Sequence, residues 1–194
     1  MLKNPRSGTT RSPIPDEREL LASVASGDLD AFEHLYRVYQ LRLTRFLTTL
    51  LKRPELIEEV LDDTMMVAWQ TAGSFRGSSK VSTWIFAIAY RKAQRAKARW
   101  PDPVEEPEFD NRMSDDPGPD EELDHKRLRA VLMKAMDELS IDHRAVVDLT
   151  YFHDMGYRQI AEIVGCPVDT VKTRMFHARR RLRQAMSGSL ANWI

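Results

Sequence analysis

Cysteine occurs once in 194 residues, at Cys166, so neither an internal disulfide nor a cysteine-built zinc cluster is available to this chain. Long apolar runs are missing as well. The longest, "WIFAIAY" over 84–90, falls far short of the ~20 residues that span a bilayer. The opening "MLKNPRSGTTRSPIPDE" has no apolar stretch of the kind a signal peptide carries. These absences predict a cytoplasmic chain with no membrane span. The dipeptides that mark tight hairpins, Asn-Gly and Asp-Gly, do not occur, which argues against a β-sheet fold. His34, His125, His143, His153 and His177 are scattered, without metal-ligand spacing, and no Ser-His-Asp set or glycine-rich phosphate loop accompanies them. No catalytic residue, metal or cofactor is therefore expected, and the chain does not read as an enzyme.

Net charge is absent too. There are 29 basic and 29 acidic residues, a balance that taken alone argues against a nucleic-acid partner. The average hides strong segregation. Between residues 76 and 99 there is no acid, while Arg76, Lys80, Arg91, Lys92, Arg95, Lys97 and Arg99 all fall there. Residues 102–124 carry eleven acids against the single base Arg112. After Asp169 no acid appears, and Lys172, Arg174, Arg179, Arg180, Arg181 and Arg183 follow closely. Two basic surfaces separated by an acidic strap give the neutral total.

What is present is helical periodicity. "DERELLASVA" from Asp16 to Ala25 reads as a short helix ending near Gly27. From Asp30, the apolar positions Phe32, Leu35, Tyr36, Tyr39, Leu43, Phe46, Leu47 and Leu50 keep the 3.6 period for several turns. Pro54 interrupts, a third helix runs from Glu55 to about Ala72, and a fourth from about Ser82 to Trp100. The five prolines and few large apolar residues of "PDPVEEPEFDNRMSDDPGPDEE" predict an extended or disordered linker. Periodicity resumes with Leu128, Val131, Leu132, Ala135, Met136 and Leu139. The expected architecture is all-α: a flexible N-terminus (1–15), one helical domain (16–100), the acidic linker (101–124), a second helical domain (125–187) and a tail (188–194).

Three constellations carry chemistry. In "YRQIAEIVGCPVDTVKTRMFHARRRLR", Ile160, Ala161 and Val164 are the expected buried face of one helix, and Val171, Met175, Ala178 and Leu182 that of the next. Gly165 permits a sharp turn between them, and Pro167 suits the first turn of the second helix. This is helix-turn-helix spacing, in which the second helix enters the major groove of DNA. Next, Phe75, Trp84, Phe86 and Tyr90 are interleaved with the acid-free cations of 76–99. Unpaired bases stack on aromatic rings while cations follow phosphates, so this stretch reads as a single-strand contact. Finally, Glu55, Glu58, Glu59, Asp62 and Asp63 share one helical face beside an apolar face of Ile57, Val60, Leu61, Thr64 and Ala68. Like charges at this spacing destabilise a helix by a few tenths of a kcal/mol per pair, a cost that fits a docking face for a basic protein.

Together these motifs resemble those of a group 4 (extracytoplasmic function) sigma factor of the sigma-70 family, over about residues 16–186. The helix-turn-helix stretch is similar to the family's σ4 domain. "ELIEEVLDDTMMVAWQTAGSFRG" and "STWIFAIAYRKAQ" are similar to its σ2 domain, with Asp63, Ala68, Trp69, Thr83 and Trp84 in recognisable positions.

The resemblance implies an alternative sigma factor that binds core RNA polymerase, directs promoter-specific initiation, and is held inactive by an anti-sigma factor. It implies that Glu55, Glu58, Glu59, Asp62 and Asp63 dock on the β′ clamp helices of the polymerase, with a further contact to the β subunit. Arg76, Lys80, Trp84, Tyr90, Arg91 and Arg95 would bind and melt the −10 element and hold it single-stranded. Thr170, Lys172, Thr173, Arg174, Phe176, His177 and Arg180 would read the −35 element as duplex. Arg91 and Arg95 stand where the family commonly has Asn and Asp, and His177 where it often has Arg, so base preferences do not carry over. Ser140 follows Leu139 where Leu-Pro is usual, and reads as a helix cap. A stand-alone helix-turn-helix regulator is the alternative, which leaves the acidic stripe and the aromatic-basic stretch without a role.

Overall fold

The computed structural model describes residues 16–100 and 131–190, with side chains up to residue 185. Among the described residues all regular structure is helical. Helix α1 (Glu17–Ala25) starts where the Asp16 carboxylate accepts from the Arg18 N–H, and it buries Leu20, Leu21 and Val24. Helix α2 (Leu29–Leu50) is capped by Asp28, whose side chain accepts from the Asp30 and Ala31 N–H groups. Its stripe of Leu35, Tyr39, Leu43, Phe46, Leu47 and Leu50 is fully buried, each side chain stabilising the fold by ~1.5–3 kcal/mol. Pro54 opens α3 (Pro54–Thr71) at the position where its missing N–H removes no hydrogen bond. A 3₁₀ turn (Ala72–Ser74) and a loop lead to α4 (Val81–Arg99). Arg18 holds that loop by donating to the Gly77 carbonyl at 3.1 Å.

After the linker the chain is helical over 131–137 (α5), then α6 (Ile141–Tyr151), α7 (Tyr157–Val164) and α8 (Val168–Leu190) follow. Ser140 caps α6 as its sequence position predicts, its hydroxyl accepting from the His143 N–H. Between α7 and α8 Gly165 takes φ 66°, ψ 41°, a left-handed conformation that a Cβ would strain. The Cys166 N–H then closes back on the Ala161 carbonyl at 3.1 Å and seals the helix end. The buried face of α7 is Ile160, Ala161 and Ile163; Val164, expected inside, is only half-buried because it lies at the turn into Gly165.

Helices α1–α4 form one group and α5–α8 another, and the two are packed together. Helix α7 lies along α4 and α6 along α2, and one apolar core continues through both groups. The two expected helical units thus pack against each other along α2, α4, α6 and α7. Helix α4 lies between them: of Val81 to Tyr90, every residue except Trp84 is buried. The expected N-terminus (1–15) and linker (101–124) lie outside the described residues. So does the end of the expected tail, whose first residues continue α8 to Leu190. Among the described residues no helix is long and apolar enough to cross a membrane.

Candidate nucleic-acid interface

The acidic stripe forms on α3 as its spacing predicts. Leu56, Val60, Leu61, Thr64 and Ala68 face inward, Ile57 is half-buried, and Glu55, Glu58, Glu59, Asp62 and Asp63 are all exposed. Two of the five carboxylates are fixed from neighbouring helices. The Tyr36 hydroxyl on α2 donates to Asp62 Oδ1 at 2.9 Å. Lys92 on α4 donates to Asp63 Oδ2 at 2.7 Å. Partial burial, followed by the bond to Asp62, raises the pKa of the Tyr36 hydroxyl above its ordinary value, so it remains a donor at neutral pH.

The cations assigned to the second surface, Arg76, Lys80, Arg91 and Arg95, are exposed. Trp84 is half-buried and leans on Phe75 with ring centroids 5.4 Å apart, leaving part of an aromatic platform at the mouth of the loop. Phe86 and Tyr90 are placed differently. Both are buried, Tyr90 with 1% exposure; the Phe86 ring packs against Phe46 of α2 at 5.2 Å and His153 at 4.7 Å. Tyr90 donates to Asp142 Oδ1 at 2.6 Å. Burial first, then that carboxylate, raises the phenol pKa well beyond its usual range.

On α8 the two faces separate cleanly. Val171, Met175 and Ala178 are buried and Leu182 is half-buried. Lys172, Thr173, Phe176, His177 and Arg180 are exposed. Phe176, 64% exposed, meets His177 edge-on at 5.5 Å. Lys172 pairs with Asp169 at 2.9 Å across one turn, and the Thr173 hydroxyl donates to the Asp169 carbonyl at 2.9 Å. Thr170 is half-buried at the N-terminal end. Arg174 turns away from the outer face and places Nη2 at 2.6 Å from Asp142 Oδ2. Sequence reasoning did not single out Asp142 or Gln94 and placed Tyr36 only in the apolar stripe of α2, because their roles depend on partners distant in the chain.

Known proteins account for both halves of this arrangement. The family description "Sigma-70 region 2" matches residues 35–100, and "Sigma-70, region 4" matches residues 129–182. The RNA polymerase sigma-H factor of Pseudomonas aeruginosa is 27% identical over 180 residues, 88% of this chain and 93% of its own. The ECF RNA polymerase sigma-E factor of Haemophilus influenzae is 28% identical over 176 residues, 86% of this chain and 93% of its own. The chain belongs to the extracytoplasmic function group of the sigma-70 family. Two solved structures share its fold. CnrH, in complex with the cytosolic domain of CnrY, superposes with a TM-score of 0.65 at 22% identity, covering 89% of this chain and 98% of that one. RpoE of Bartonella quintana, with the anti-sigma factor NepR, gives 0.60 at 24%, covering 80% and 96%. Like other members of the group, this sigma factor is a specificity subunit of RNA polymerase that directs transcription initiation at promoters.

Proposed function

We propose that three surfaces divide the work of this sigma factor. Exposed Glu55, Glu58, Glu59, Asp62 and Asp63 form the docking face for the β′ clamp helices of core polymerase, while the σ4 helices add a contact to the β subunit. Arg76, Lys80, Arg91 and Arg95 hold phosphates of the melted −10 strand beside the Trp84 platform, which receives an unpaired base. Tyr90 joins them once its side of α4 is uncovered. Thr170, Thr173, Phe176 and His177 face the −35 bases, joined by Arg174 once it leaves Asp142, with Lys172 and Arg180 on phosphates.

The observation that carries this reading is the division of α8, whose inner face is sealed while an outer face without acids beyond Asp169 stands exposed. The protein acts by binding, with catalysis left to the polymerase, and it works in the cytoplasm, where the enzyme and promoters are. An anti-sigma factor is its regulator, as NepR is the partner of the Bartonella quintana protein of the same fold.

The test is transcription in vitro with core polymerase on a library of promoter fragments. Initiation confined to a subset sharing two spaced elements is the expected result. Sequence-specific duplex binding without any polymerase-dependent initiation would instead support a stand-alone regulator.

A further inference from the structure

We propose that this sigma factor has a further DNA contact at the far end of α4, where Arg99, steadied by Trp100, grips promoter DNA still paired beside the −10 element. The inference rests on the reading above in which Trp84 receives an unpaired base of that element.

The faces of α4 divide by partner. Ala93 is buried, Tyr90 and Gln94 meet Asp142, and Lys92 donates to Asp63. A row of arginines stays open to water: Arg91, Arg95 and Arg99, spaced i, i+4 and i+8, with Trp100 just beyond. No carboxylate stands anywhere on this helix. Like charges four residues apart destabilise a helix, so a row with no acid beside it fits a polyanion from outside. A basic last turn complements the helix dipole, which accounts for Arg99 but not for Arg91 and Arg95 further back.

The polyanion at this end is duplex rather than single strand. Unpaired bases need rings to stack on. Phe75 and Trp84, the rings at the edge of the surface, sit at the N-terminal end of α4 with centroids 5.4 Å apart. Phe86 and Tyr90 are buried, so no open ring follows along the arginine row until Trp100. That last ring is taken by Arg99, whose guanidinium lies 5.8 Å from its centroid. The Trp100 N–H donates to the Ala96 carbonyl at 2.8 Å, which fixes its backbone as the helix cap. Trp100 is therefore a positioning residue that holds the Arg99 charge at the helix end. Duplex asks for no rings, only for cations that follow phosphates.

Length sets where that duplex lies. From Trp84 to Arg99 the helix rises about 22 Å at ~1.5 Å per residue. That equals about six base-pair steps at ~3.4 Å each, which carries Arg99 past the captured base into paired DNA. The chain leaves Trp100 for the helices assigned above to the −35 element, so this end of α4 points upstream. Arg99 thus braces the upstream edge of the melted segment while Trp84 holds it open. A contact to phosphates adds affinity and salt dependence at any sequence.

The experiment uses holoenzyme assembled from core polymerase and the full chain. Anisotropy compares two labelled probes without a −35 element: a single strand carrying the −10 sequence of an active promoter, and the same strand with its upstream side paired. The variants are Arg99→Ala, Arg99→Lys, Trp100→Ala, Trp100→Phe, Trp84→Ala, and Arg37→Ala, which removes an exposed cation of α2. Far-UV circular dichroism confirms that each is folded.

We expect the parent to bind the paired probe more tightly than the single strand. Arg99→Ala should lose about three- to tenfold on the paired probe only, with the slope of log K against log salt reduced by about one unit. Arg99→Lys should keep most of the affinity and Arg37→Ala all of it. Trp100→Ala should lose part, and Trp100→Phe should restore it, since a ring still faces the guanidinium. Scrambling the paired arm should change nothing. Equal losses on both probes for Arg99→Ala would place Arg99 on the melted strand and overturn the duplex contact. No loss on either probe would reduce Arg99 to a helix end and overturn it too. Unchanged binding of both probes by Trp84→Ala would overturn the base-capture reading, and it is told apart from a failure at Arg99 because it does not depend on the paired arm.

Discussion

Lys92 reaches from α4 back to α3 and places its ammonium 2.7 Å from Asp63 Oδ2, tying α4 to the acidic stripe. Both side chains keep contact with water, so the pair contributes no more than ~1 kcal/mol to the fold. In the proposed function the carboxylate is half of a docking pair with Asp62. Asp62→Lys combined with Asp63→Lys should weaken core-polymerase binding by on the order of tenfold or more, since it sets cations against a basic partner. The melting temperature should fall by only a few degrees. Titration of labelled protein with core enzyme checks this, and undiminished affinity would remove the stripe from the interface.

His143 supplies a pH dependence. Burial first, then Arg181 and Arg174, lower its pKa, with His177 adding to the effect and Asp142 opposing it. A depressed histidine pKa means that the unfolded chain takes up the proton more readily than the folded one. Its contribution to stability is therefore complete above the ordinary value near ~6.5 and is lost as pH falls below it, toward the folded value. Ser140 Oγ lies 2.6 Å from His143 Nδ1, a contact in which the neutral ring can accept. Thermal unfolding should show a midpoint that drops between about pH 7 and pH 5.5, and a smaller drop in His143→Gln. Equal slopes in parent and variant would assign the effect to other groups.

The helices and the turn between α7 and α8 are legible in the sequence because each rests on local regularities. Period, Asp and Ser caps, Pro54 and Gly165 all act within a few residues. The packing of the two helix groups is not, because Asp142 meets Tyr90, Gln94 and Arg174 only through tertiary contact. One local signal did point to it. "VSTWIFAIAY" offers no polar face over nearly three turns, and a helix that is apolar all round is covered on more than one side. Interleaving that run with the cations of 76–99 made Phe86 and Tyr90 look like an open aromatic surface. Their burial shows that only Trp84 and Phe75 stand at its edge.

Arg144 is the buried cation of the contact between α2 and α6, 3% exposed. It donates to the Leu139 carbonyl at 3.1 Å and to the Thr49 carbonyl at 3.3 Å, with Asp137 3.6 Å away. Arg144→Met fills most of the volume but leaves two carbonyls without this donor. A loss of ~2–4 kcal/mol is expected. Urea unfolding measures it, and a loss within ~0.5 kcal/mol would mean that water replaces the guanidinium at both carbonyls.

On α8, side chains that share one exposed face should divide into two functions. His177 stands beside Phe176, near the N-terminal half that enters the groove in helix-turn-helix proteins. Its imidazole cannot make the two-pronged contact to guanine that Arg makes. His177→Arg should therefore shift which −35 sequences are preferred, by ~1–3 kcal/mol at the base it meets. Arg180, exposed one turn further along, should hold phosphate. Arg180→Ala should weaken all −35 sequences about equally and flatten the dependence on salt, since one counterion fewer is released. Promoter-library transcription with each variant beside the parent separates the two roles. If His177→Arg leaves base preference unchanged while Arg180→Ala alters it, the reading and anchoring positions of this helix are reversed.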